Sequence, residues 1–276
     1  MLRDLLRRLT TPCPAWARDM GYLREQHGIQ GRHARCRGAW EPHLRNTRRT
    51  ILAAVERCPA RRKAVVFGSG PLLDVPLPEL AAAFREVVLV DIVHPLGGDW
   101  RLANVTALTA DVTGVVEALH EAPHAPDRPL PLSRPTLFLD DPEVDLAASV
   151  NLLSQLPSIP CQYLADCGQH RPGAIQAMAR DLVRAHLDYL TRLPGVATLV
   201  CDLERRTLDR HGRLVERKSA LRGVPFPWAG EEWIWDLAPR PETDPNLSYQ
   251  RRVIGVVDIK HAPPRGPAKI MPGPLQ

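Results

Sequence analysis

No run of apolar residues in this 276-residue chain approaches the roughly 20 needed to cross a bilayer, so no membrane partner is expected. A secretory leader is not expected either. The opening stretch MLRDLLRRLTTPCPAW carries Arg3, Asp4, Arg7 and Arg8 inside what would have to be its apolar region, which predicts a cytoplasmic protein. The six cysteines (Cys13, Cys36, Cys58, Cys161, Cys167 and Cys201) form neither a dense framework nor a CxxC pair, so reduced thiols are expected. Cys161, Cys167 and His170 fall close together, but their spacing is not a zinc pattern, and no metal is expected. Lysine is scarce: Lys63, Lys218, Lys260 and Lys269 are the whole set, against an abundance of Arg, Ala and Pro that a GC-rich genome would dictate. Residues 1–63 hold 15 Lys or Arg against 5 Asp or Glu, a local net charge of +10, leaving −5 for the remainder. A basic end can be a nucleic-acid footprint. A solvated, arginine-rich helical face is the favoured explanation, and nucleic acid is not the expected partner.

What the chain does contain is 44% hydrophobic and 24% charged residues, the balance of a soluble globular protein with one large core or two small ones. Its most informative stretch is KAVVFGSGPLLDVPLPELAAAFREVVLVDIV, from Lys63 to Val93. An apolar, β-branched run stops at Gly68-Ser69-Gly70, and a second run, Val87 to Val90, stops at Asp91. The order strand, glycine turn, helix, strand, acid is half of a nucleotide-binding βαβ unit. Glycine lets the backbone turn sharply and leaves room for a ligand against the chain. A carboxylate at the tip of the neighbouring strand can accept hydrogen bonds from both hydroxyls of a ribose.

Around this unit the periodicity predicts helices from about Pro14 to Arg57, with Trp40, Leu44, Thr47, Ile51 and Val55 as an apolar stripe. Strands are expected at Ala64–Phe67, Val87–Val90, Val105–Thr109, Leu146–Val150 and Val196–Cys201, and helices at Pro78–Phe84, Val112–His120 and Gly173–Leu193. Ala122 to Pro135 is a proline-rich loop. Two final strands, Trp233–Leu237 and Arg252–Ile259, have no helix between them and should pair antiparallel. Three segments are expected: a helical cap over residues 1–58, an α/β domain over 59–262 and a disordered proline-rich tail over 263–276.

Four motifs, GSGP, VDIV, TADV and DLAASVNLLSQLP, fall after successive strands, and over roughly residues 40–260 the chain resembles a class I S-adenosylmethionine (SAM)-dependent methyltransferase. The resemblance implies a Rossmann-like three-layer α/β sandwich with a mostly parallel seven-stranded sheet ending in an antiparallel β-hairpin. It implies that Gly68, Ser69 and Gly70 lie against the methionine part of SAM and that Asp91 and Ile92 meet the ribose. Asp111 and Val112 would meet the adenine, and Asn151 would lie near the transferable methyl. Plainer readings stand beside these: Asp91 as a turn cap, Asp111 as the cap of the helix near Val112, and Asn151 as a turn residue bonded to its own backbone. Val66 stands where the family carries an acid and Leu72 where it carries a small residue, so the SAM ammonium would need another partner, with Asp74 or backbone carbonyls as candidates. The implied reaction is an in-line displacement onto a small-molecule acceptor, in which alignment supplies much of the effect. No residue identifies itself as the general base; His170, Asp202 and Tyr163 are candidates by position, and Trp228, Trp233 and Trp235 could wall a substrate pocket or fill the core. The alternatives are a catalytically inactive methyltransferase-like binding protein and a nucleic-acid methyltransferase, the latter disfavoured because Asn151 does not open an Asn-Pro-Pro-Tyr segment.

Overall fold

The computed structural model describes residues 12–95, 101–122 and 129–266. Among the described residues three helices come first: α1 (Ala15–Met20), α2 (Tyr22–Arg35) and α3 (Arg37–Val55). Strands and helices then follow as β1 (Lys63–Phe67), α4 (Leu77–Ala83), β2 (Glu86–Asp91), β3 (Val105–Thr109), α5 (Val116–Glu121), β4 (Val144–Val150), α6 (Ser158–Cys167), α7 (Pro172–Arg192), β5 (Val196–Leu208), β6 (Leu214–Ser219), β7 (Glu231–Ala238) and β8 (Ser248–Val256).

The sheet runs in the order β3-β2-β1-β4-β5-β8-β7. The first five strands pair in parallel, and β8 runs antiparallel to both its neighbours, β5 and β7. The last two strands therefore form the expected antiparallel hairpin, and its second strand is inserted between β5 and β7. Among the described residues the sheet has eight strands and not seven, because β6 pairs with the outer half of β5. That strand, LVERKS, is exposed along its whole length, so it has no alternation of buried and solvated positions to betray it.

β1, β2 and β4 read as continuous apolar runs because both their faces are covered. Val65, Phe67, Val88 and Val90 face a core built with Leu182, Tyr189 and Leu190 of α7, while Ala64, Val66, Val87 and Leu89 face Ile51 and Val55 of α3 and Leu80 of α4. This is a three-layer sandwich. The stripe expected on the first helices is real: Trp40, Leu44, Thr47, Ile51 and Val55 are all buried. α3 lies across β7, β4, β5 and β8 as one of the covering layers, so the cap is continuous with the core. Gly255 of β8 permits this close approach, since a Cβ there would stand 2.5 Å from Oγ1 of Thr50.

Several boundaries moved. The helix expected from Val112 starts at Val116, because a turn at 112–114 intervenes; β5 runs on from Cys201 to Leu208; and α6 was not expected at all. In the proline-rich segments, residues 129–135 are irregular and 123–128 lie outside the described residues. Of the tail from 263, Pro264 bridges to Trp228 and the amide of Arg265 donates to Pro227 O at 2.8 Å; residues 267–276, like residues 1–11 of the cap, lie outside the described part.

Candidate functional site

The carboxyl ends of β1, β2 and β4 open into a cavity of about 760 Å³, within the size range of small-molecule sites in open α/β sheets. Gly68, Ser69, Gly70, Asp91, Ile92, Asp111, Val112 and Asn151 all line it. Four different loops bring these eight residues together. α1, α2 and α3 close the cavity from above through residues including Tyr22, Gln26, Trp40 and His43, and the amide of Gln26 donates to the Val93 carbonyl at 2.9 Å.

The turn after β1 is tied to the tip of β2. The amide of Gly70 donates to Oδ2 of Asp91 at 2.8 Å, and the amides of Ile92 and Val93 donate to Oδ1 at 2.7 and 3.3 Å. Burial holds the Asp91 carboxyl above its ordinary value, and the amides of Gly70 and Val93 draw it back. Gly68 has φ +75°, and a Cβ there would stand 2.8 Å from Cβ of Leu152 and 2.9 Å from the Val150 carbonyl, so glycine is required both by conformation and by space. Leu72, where the resemblance leads one to expect a small residue, also has a left-handed backbone, φ +60°.

Asp111 is occupied by its own chain. Its Oδ1 accepts from the amide and hydroxyl of Thr113 at 2.9 and 2.6 Å, and its Oδ2 accepts from the amides of Val115 and Val116 at 2.9 Å each. Four donors match the roughly four acceptor positions of a carboxylate, so Asp111 sits here as the cap of α5. Asn151 is a left-handed residue, φ +49°, whose side-chain amide lies 2.6 Å from Oδ2 of Asp74 and 3.1 Å from Nε2 of His43. It is thus more than a turn residue bonded to itself. Its Oδ1 and the Oγ of Ser69 are buried without a hydrogen-bond partner among the described residues.

His43 is the functional-looking residue that the sequence did not reveal. Its imidazole stacks on Trp235 with centroids 3.9 Å apart and planes 4° apart, and the indole N–H of Trp233 donates to its Nδ1 at 3.1 Å. Burial lowers its pKa to about 3. The available signal was its place in the apolar stripe of α3, next to Leu44. Tyr22 was missed as well. Burial together with Asp111 and Asp91 holds its phenol well above the ordinary value.

Asp202, Arg205, Arg251, Trp235 and Leu237 also line the cavity, with Arg32 and Ile29 from α2. Asp202 lies within β5 and Tyr163 on α6, not in loops, and both line the cavity. His170 is not among the lining residues. Trp235 walls the cavity and meets Trp40 edge to face, whereas Trp228 packs on Phe226 away from it. Among the described residues no cluster of three His, Cys, Asp or Glu is arranged to hold a metal.

No protein-family model matches the chain, and no curated protein matches it. Among solved structures, it aligns with the Burkholderia thailandensis 1,6-didemethyltoxoflavin-N1-methyltransferase with bound 1,6-didemethyltoxoflavin and S-adenosylhomocysteine, at 14% identity over 90% of this chain and 92% of that chain, with a TM-score of 0.37. The fold assignment rests on the strand order and register themselves.

Proposed function

We propose that the protein is a SAM-dependent methyltransferase acting on a small-molecule acceptor. The observation that carries this reading is the junction of Gly70 and Asp91 at the floor of the cavity, where a turn without side chains meets a carboxylate at the end of the adjacent parallel strand. Asp91 uses three backbone donors and keeps acceptor capacity for a ribose hydroxyl. The cofactor's fit is supported by two buried polar atoms at this cavity that lack partners among the described residues: Ser69 Oγ and the side-chain amide atom of Asn151 that faces neither His43 nor Asp74. Gly68, Ser69 and Gly70 would flank the methionine portion, Asp91 and Ile92 the ribose, and Val112 the adenine. Asp111 supports that last contact by holding the loop. When bound, SAM supplies an electrophilic methyl on sulfonium; the chain's own residues supply alignment and the exclusion of water.

Enclosure by α1–α3 favours a compact acceptor over a nucleic acid. Calorimetry with SAM, S-adenosylhomocysteine, NAD and ATP tests the proposal: binding of both sulfur ligands is expected, and silence for both removes it. A second reading, a methyltransferase-like binding protein without catalysis, draws on Val66, which is fully buried in the core where the family carries an acid, and on the commitment of Asp111 to capping. Binding of S-adenosylhomocysteine with no turnover of any offered acceptor is its signature.

A further inference from the structure

Arg205 of β5 lies directly opposite Arg251 of β8 in the antiparallel register. Like charges in that position destabilise a sheet unless something lies between them. Their shared face is set by a bulge. The β5–β8 register shifts between Asp202 and Glu204, so Asp202 and Arg205, which strict alternation would send to opposite faces, both line the cavity.

The two faces of this corner are balanced differently. Glu204 lies within 3.6 Å of Arg206, 3.4 Å of Arg217 and 3.6 Å of Arg252, so the cationic face away from the cavity has its countercharge. On the cavity side, Asp202 pairs with Nε of Arg251 at 3.4 Å and accepts from Ser154 Oγ at 3.2 Å. Arg205 makes no ion pair or side-chain hydrogen bond among the described residues, and its buried Nε has no partner. Nε of Arg32 is in the same condition. Glu242, near Arg32, is already held by Arg35 at 2.7 Å. Of the other acids lining the cavity, Asp91 and Asp111 are engaged with backbone amides, Asp74 with Asn151, Asp166 with Gln162 at 2.7 Å and Asp19 with His120 at 3.1 Å, while Glu25 of α2 is exposed. Burial holds the guanidinium pKa values of Arg205 and Arg251 below the ordinary value; Arg222 lowers that of Arg205 further, and Asp202 draws both back.

We propose that the acceptor carries an anionic group, a carboxylate or a phosphate, held between Arg205 and Arg251 with Arg32 above it. The planar guanidinium forks suit either oxyanion. Trp235, in register with Arg251 on its other side, offers a flat wall to the apolar body of the same molecule. Only the word acceptor rests on the methyltransferase reading; the anion site stands on its own geometry.

The test titrates the wild-type protein, with and without saturating S-adenosylhomocysteine, against inorganic phosphate, benzoate and the uncharged benzamide. Benzoate or phosphate should bind and benzamide should not, and which anion binds more tightly separates carboxylate from phosphate. Arg205→Gln and Arg251→Gln should each weaken anion binding at least tenfold, with thermal denaturation confirming that the variants fold. Arg217→Gln removes the same charge from outside the cavity and should leave binding unchanged. Absence of anion binding, or an equal loss in Arg217→Gln, overturns the proposal. Anion binding with this arginine dependence, but no response to S-adenosylhomocysteine, would keep the anion site and sink the cofactor reading.

Discussion

The indole N–H of Trp233 donates to Nδ1 of His43 across 3.1 Å, and because an indole can only donate, the proton of the neutral imidazole must sit on Nε2. Nε2 faces the side-chain amide of Asn151 at 3.1 Å, and Asp74 Oδ2 lies 2.6 Å from the same amide group. An NH2 cannot accept from an N–H. With the amide turned over, Oδ1 accepts from His43 on one side and from a protonated Asp74 on the other, and burial does hold the Asp74 carboxyl above its ordinary value. Asp74→Asn should therefore change stability by less than about 1 kcal/mol, whereas loss of an ionised partner would cost about 1.5–3 kcal/mol. Chemical denaturation of the two proteins at pH 7 decides between them.

The two buried histidines give a pH dependence with a definite sign. Burial lowers His43 and His186 to about 3. Between pH 6.5 and that value the unfolded chain binds protons that the folded one refuses, so stability falls as pH falls, by at most about 1.4 kcal/mol per pH unit for each histidine. Asp74, Asp91 and Asp202, raised by burial, act in the opposite sense: their contribution is present at low pH and lost as pH rises through their folded values. His186→Gln isolates one contribution. Its unfolding free energy should fall less steeply than that of the wild type between pH 6.5 and 4, and parallel curves would contradict the assignment.

Asp91→Ala should weaken S-adenosylhomocysteine binding by about 1.5–3 kcal/mol in a protein that still folds, as expected for hydrogen bonds to a charged group. Calorimetry of the folded variant measures this, and unchanged affinity would reduce Asp91 to the anchor of the Gly70 amide.

Gly68→Ala should fail differently. At φ +75°, with backbone and Leu152 inside 3 Å of the new methyl, the substitution should destabilise the fold by more than about 1 kcal/mol and lower cofactor affinity as the turn shifts. Thermal denaturation with and without S-adenosylhomocysteine reads both effects.

Removing residues 1–35 deletes α1 and α2 and leaves α3 in place. Tyr22 and Gln26 line the cavity, and Gln26 is bonded to the Val93 carbonyl just beyond Asp91, so S-adenosylhomocysteine affinity should drop while the sheet keeps its far-UV signature. Retained affinity together with lost, salt-sensitive retention on heparin or RNA would favour a nucleic-acid arm instead.

The parallel half of the sheet was legible because a strand buried on both faces announces itself as an apolar run, and the glycine turn because its backbone demands glycine. The site was legible wherever it depends on strand ends, as with Asp91. It was hidden wherever it depends on register or on partners distant in the chain. The bulge that turns Arg205 toward Asp202 leaves no mark in the string CDLERR, and β6 is hidden by its lack of any buried side chain. For Asp111 the sequence left two roles open, and only hydrogen-bond geometry separates them, since a cap and a ligand acceptor call for the same residue at the same place.

Trp40 in the third helix donates its indole N–H to the carbonyl of Leu237, 197 residues later, at 2.9 Å, and packs edge to face on Trp235. In an emerging polypeptide, the apolar stripe of that helix is made long before the strands it rests on. Until β7 and β8 have left the ribosome, Trp40 and Leu44 lack the Trp235 and Val253 side chains they pack against, and the long separation makes this docking slow by its nature. Nascent chains stalled before residue 231 should be cut by protease within α3, and chains extended past residue 256 should resist. The wall that Trp235 and Arg251 give the pocket thus exists only once the last two strands are paired.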